Sequence, residues 1–160
     1  MNALFPKETD AAETRVAASP ESVASITGLG LSVVVESGIG TGVGWQDADY
    51  KEAGATIAKD RTELFSTVGL VVCVRAPDPA SIGSIQSGSM YAGFLDPFNR
   101  SDLVHAFANA GVSAMSMEMV PRTTRAQKLD ALSSQHSIAG YYMVILAAER
   151  LGKALPMMAT

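Results

Sequence analysis

The sequence predicts an open α/β fold: a mainly parallel, doubly wound sheet of Rossmann-like or flavodoxin-like type, followed by a long C-terminal connecting helix. Three observations carry this. Four short apolar runs rich in strand-forming residues, at 31–35, 70–74, 91–95 and 112–120, are bordered by turn residues. Helical patterns with start and stop signals lie between them. The connections are short, and such alternation favours parallel strands joined by crossover helices.

In chain order, Ser19 reads as the cap of a helix that opens with Pro20 in its first position and stops at Gly28 and Gly30. The strand at 31–35 follows. Residues 47–53, ended by Gly54, and 62–65 read as weaker helical turns. After the strands at 70–74 and 91–95, Ser101 reads as the cap of a second clear helix, terminated by Gly111. Within 112–120, Met115, Met117 and Met119 alternate and so share one face, where core filling is their expected role. From about Asp130 to Leu151 runs a final helical pattern in which Leu132, Tyr142, Leu146 and Ala147 can share a side. Gly152 ends it, and the tail at 154–160 has no structural partner of its own.

Composition narrows the function. A chain of 160 residues with 48% hydrophobic and 18% charged residues has the makings of one core and is too apolar for disorder. The lone Cys73 can form no internal disulfide, which fits a reduced, cytoplasmic compartment. The start lacks the basic and apolar segments of a signal peptide. No apolar run approaches the ~20 residues that span a bilayer, so membrane association would come through a partner rather than by direct insertion. Residues 1–120 hold 7 Lys and Arg against 14 Asp and Glu, whereas residues 121–160 hold 5 against 2. The acidic body argues against nucleic acid; the basic end suits a phosphorylated ligand, an acidic partner surface, or merely a solvated helix start.

Several residues invite a chemical reading. Gly38-Ile-Gly-Thr-Gly-Val-Gly44 follows a strand but lacks the G-x-G-x-x-G spacing, so a turn with positive φ is the expected role. Arg15 could hold an anion or be a surface group. Arg75 lies at a carboxyl strand end, where ligands bind in open α/β sheets, and with Arg15 it marks an anion or substrate cleft. Asp96 stands at a similar strand end or starts a turn with Pro97. His105 and His136 have no partners at metal-ligand spacing, and no metal site is expected. The densest cluster is Arg122, Gln127, Asp130 and Ser133. If the segment is helical from Gln127, steps of three residues place Gln127, Asp130 and Ser133 on one face. Two readings stay open: a grip for a planar amide, or a helix cap with solvated neighbours.

The chain also resembles the alanine dehydrogenase and pyridine nucleotide transhydrogenase superfamily. The resemblance rests on Pro6-Lys7-Glu8, Glu13-Thr14-Arg15-Val16-Ala17, Val35-Glu36-Ser37-Gly38, Ala53-Gly54-Ala55 and Val74-Arg75-Ala76-Pro77. Val120-Pro121-Arg122, Arg125-Ala126-Gln127, Asp130 to Ser134 and Ile138 to Tyr141 resemble the transhydrogenase branch specifically. The likeness implies a component of a proton-translocating NAD(P)+ transhydrogenase, an oxidoreductase that passes hydride directly from NADH to NADP+. It implies Arg122, Gln127 and Asp130 as catalytic residues and, with Ser133, as NAD(H)-binding residues around the nicotinamide, Gln127 reaching toward the partner's nucleotide. It implies partners too: a membrane-embedded component and a component holding NADP(H), with the protein cytoplasmic and peripheral to the inner membrane through them, and a homodimer. Residues 1–126 would form the N-terminal lobe and 127–160 the nicotinamide-contacting loop and the helix leading to an NAD-binding Rossmann lobe. No G-x-G-x-x-G occurs, so little activity is expected of these 160 residues alone.

Two alternatives compete. An alanine dehydrogenase-like fragment would need the proton-handling Lys and His of that branch, and Arg75 and Asp96 stand at the matching places. A non-catalytic oligomerisation or interaction module would use the long helix and the apolar stretch 155–158.

Overall fold

The computed structural model describes residues 2–153. The chain divides into two compact units, one up to Met119 and one from Val120. In the first, the described elements are β1 (Asn2–Phe5), α1 (Pro20–Gly28), β2 (Ser32–Glu36), α2 (Asp47–Glu52), β3 (Thr56–Ala58), α3 (Arg61–Phe65), β4 (Leu70–Arg75), α4 (Pro79–Ile82), β5 (Met90–Phe94), α5 (Ser101–Ala110) and β6 (Ser113–Ser116). The second holds α6 (Ala131–Leu151).

The six strands form one sheet in the order β3-β2-β1-β4-β5-β6, and every pairing is parallel. This is the doubly wound Rossmann order. The alternation of β1 shows why helices cover both faces. Leu4 points into a core with Val71, Tyr91, Leu103 and Phe107. Its neighbours Ala3 and Phe5 point into the opposite one, with Val23, Val33, Val35 and Tyr50. A central parallel strand is therefore apolar on both sides, and β1 reads as a short continuous run rather than an alternating one. Strand β1 and the brief β3 escape the sequence reading, the first because Pro6 cuts its run to four residues.

Helix α1 starts as expected: Ser19 accepts from Ser22 N–H in a reciprocal capping box, and Pro20 follows. Helix α5 differs. Its cap position is Arg100, without a side-chain cap bond, and Ser101 is already inside the helix. Gly111 ends it at φ +67°. The strand expected over 112–120 is shorter, because the chain turns into a single 3-10 turn at Met117–Met119 after Ser116. Met115 and Met119 are largely exposed rather than core residues. The glycine run is a bend, with Gly38 and Gly44 at φ +78° and +89°. Gly40 leaves room for the buried Tyr50, whose ring would lie 2.9 Å from an added Cβ.

In the second unit, Gln127–Leu129 is a 3-10 turn and Asp130, at ψ +83°, breaks it before α6 begins. Gln127, Asp130 and Ser133 therefore do not share one continuous helical face. Helix α6 runs 21 residues and buries no side chain among those described.

Candidate functional site

Strand order reverses between β1 and β4, and the carboxyl ends of these strands open a crevice in which a doubly wound sheet binds ligands. A cavity of about 320 Å³ lies there, bordered by Lys7, Glu8, Arg61, Cys73, Arg75 and Tyr91 among others. Glu8, three residues beyond β1, spans the gap: its carboxylate accepts from the backbone N–H of Val74 at 2.6 Å and of Arg75 at 3.1 Å. Burial outweighs those bonds and raises its pKa. Arg61 ties the loop after β1 to β2, donating to the Lys7 carbonyl at 2.9 Å and to Glu36 at 3.0 Å.

Arg15 and Arg75 meet at one carboxylate. Arg15 donates to Glu13 from its backbone N–H (3.0 Å), Nε (2.8 Å) and Nη2 (2.7 Å). Arg75 Nε donates to the same group at 3.0 Å. The Arg15 side chain is the largest cause holding the Glu13 pKa down, to about 2. The Arg15 guanidinium also lies 5.8 Å from the centre of the Phe94 ring. Sequence reasoning singled out the two arginines and missed the two glutamates as site residues. The available signal was their place just after β1, a strand it did not find.

Two further groups can be assigned roles. Burial pushes the Cys73 thiol up to about 12, so it is no nucleophile at neutral pH. Tyr91 donates its hydroxyl to the Arg75 carbonyl at 3.1 Å, fixing the end of β4. Asp96 adopts φ +48°, with Asn99 donating to its carboxylate at 2.8 Å and Glu118 accepting from its backbone N–H. It is the start of a turn.

The second unit carries the other expected site residues. Asp130 takes the cap position of α6: one carboxylate oxygen accepts from Ser133 N–H at 3.0 Å and the other from the Ser133 hydroxyl at 2.6 Å. Those bonds, then the nearby charge of Arg122, hold its carboxyl below the usual aspartate range. Asp130 and Ser133 thus form a pre-set pair at the mouth of the helix, and Arg122 and Gln127 precede it on exposed backbone.

Comparison with known proteins gives the same frame. The family model for the alanine dehydrogenase/PNT N-terminal domain matches residues 4–139. In Rhodospirillum rubrum the NAD(P) transhydrogenase subunit alpha is divided, and its first piece is 38% identical over the whole chain, which spans 43% of that protein. The NAD(P) transhydrogenase subunit alpha of Cereibacter sphaeroides is 36% identical over 92% of the chain and 28% of its own length. An alanine dehydrogenase of Halomonas elongata is more distant, at 27% over 96% of the chain and 41% of its own length. The crystal structure of transhydrogenase from Sinorhizobium meliloti superposes with a TM-score of 0.90 at 40% identity, over all of this chain and 48% of that one. The chain therefore spans less than half the length of these relatives. With its all-parallel sheet and this match along most of its length, the chain belongs to the alanine dehydrogenase/PNT N-terminal domain family, nearer in sequence to these transhydrogenase α subunits than to this alanine dehydrogenase.

Proposed function

We propose that the protein serves an NAD(P) transhydrogenase α subunit as the portion that orients the nicotinamide of NAD(H) for direct hydride transfer to NADP+. The observation that carries this reading is the Asp130–Ser133 pair with Arg122 beside it. A carboxamide offers one acceptor and two donors. Arg122 supplies N–H donors. Asp130 keeps unused lone pairs after bonding Ser133, and the Ser133 oxygen, its proton committed to Asp130, is left to accept. The donor set fits the group. NAD(H), when bound, supplies the hydride. The chain's own residues fix which ring face is presented, and positioning is the larger share of catalysing such a transfer. Gln127 stands at the start of the 3-10 turn, available to a nucleotide on a partner component.

Transfer between two nicotinamides leaves no oxyanion to protonate, which suits a site without a nearby histidine. In this reading the partners are a membrane-embedded component, which couples transfer to proton translocation, and a component that holds NADP(H). The attachment to the inner membrane runs through them. No helix among the described residues is long and apolar enough to cross a membrane.

The test exploits the double role of Asp130. Asparagine caps helices about as well as aspartate. Asp130→Asn should therefore leave thermal stability nearly unchanged in the assembled enzyme, yet slow NADH-dependent reduction of an NADP+ analogue by roughly 10- to 150-fold, the worth of one charged hydrogen bond felt at the transition state. Asp130→Ala should lose both. Wild-type transfer by Asp130→Asn would mean that the carboxylate only caps α6. A second reading, self-association into a homodimer, is favoured by the exposed apolar surface of α6.

A further inference from the structure

Two guanidinium groups at the carboxyl ends of β1 and β4 share a carboxylate that belongs to the chain itself. Arg15 and Arg75 lie 60 positions apart in sequence, and both donate to Glu13. The Glu13 side chain is only 4% exposed, whereas those of Arg15 and Arg75 are 42% and 54% exposed. A guanidinium grips a carboxylate best through two parallel N–H donors. The Nε and Nη2 edge of Arg15 is spent in this way on Glu13. Asp10, 3.8 Å from Arg75 Nε, adds a second acid, and Glu8 sits on the backbone of Arg75. Three acids thus face two arginines at the place where the fold otherwise collects anionic ligands.

We infer that Glu13 acts as an internal ligand, filling a small-carboxylate site at the β1–β4 end of the sheet and closing it to free anions. The adjoining cavity, with Lys7 and Arg61 on its wall, leaves space for a small dicarboxylate once the internal one is neutralised. A neutral glutamine keeps the shape of Glu13 and returns both guanidinium charges to an incoming anion. The site lies in the first unit, and its failure would leave the nicotinamide reading untouched.

Oxalate is the probe, titrated into the full chain at constant ionic strength and followed by melting temperature and by the arginine Nε–H resonances. The wild type and Glu13→Asp should give no saturable response. Glu13→Gln should bind at least tenfold more tightly than wild type, Glu13→Gln with Asp10→Asn more tightly still, and adding Arg75→Ala to Glu13→Gln should abolish the gain. Should Glu13→Gln melt without cooperativity, oxalate must restore a cooperative transition. Equal binding by wild type and Glu13→Gln, absence of any oxalate effect on Glu13→Gln, or a gain that survives Arg75→Ala would each overturn the inference.

Discussion

Glu13 shows how one residue ties acid stability to the architecture of a strand end. Its carboxyl has an ordinary value of 4.5 and is held near about 2 in the folded chain by Arg15 first and then, against burial, by further bonds from Arg15 and Arg75. A depressed folded pKa contributes stability that is present above the unfolded value and is lost as pH falls through the folded one. Its contribution should therefore fade between about pH 4.5 and about pH 2. Glu8 works in the opposite sense. Burial raises its pKa, so its share of stability is present below the ordinary value and is lost as pH rises through the raised one. Glu13→Gln should consequently lower stability at neutral pH and flatten the dependence below about pH 4.5, as read from urea midpoints across that range. An unchanged acid limb would mean that the Arg15 and Arg75 bonds survive equally well in the unfolded chain.

At the scale of elements, what was legible depended on length and on cap chemistry. Helix α1 announces itself through Ser19, Pro20 and the glycines after it, and β4 through its run of β-branched residues. Strand β1 does not, because four residues are too few to show a period and Pro6 follows at once. Missing β1 hid Glu8 and Glu13, which make sense only as the exit of a central strand. The cluster at 122–133 stood out by composition, but its local shape did not: Asp130 competes for the backbone as a cap and so separates the 3-10 turn from α6. Sheet packing was legible least of all. Gly93 reads as an ordinary strand glycine, yet a Cβ there would stand 2.8 Å from the Cys73 carbonyl oxygen, where the β4–β5 ladder shifts register. That neighbour is backbone and cannot swing aside. Gly93→Ala should cost about 1–3 kcal/mol, the usual penalty of overpacking, measured as a lower denaturation midpoint. A neutral effect would show that the shifted register can absorb a methyl group.

At the scale of the whole molecule, the exposure of α6 dominates. A helix of 21 residues reaches about 31 Å, and one that is apolar around its circumference is ordinarily buried. Here Ile138, Tyr141, Tyr142, Met143 and Val144 are each more than half exposed, with Tyr141 at 72%. The relatives are more than twice as long as this chain, so one cover is further protein of the same kind. A second copy is the other. Self-pairing about a twofold axis would bring each α6 residue opposite its counterpart, which makes charge a sensitive probe. Tyr141→Glu with Ile145→Glu puts two carboxylates one turn apart on a surface that water already wets, so a monomer should tolerate them. At a twofold interface the same change gathers four carboxylates in an apolar seam, where unpaired charge is costly. Light scattering on the full chain should then report the mass of two chains for wild type and of one for the double variant, with helix content unchanged. A monomeric wild type would rule out self-pairing and leave α6 to be covered by a different chain.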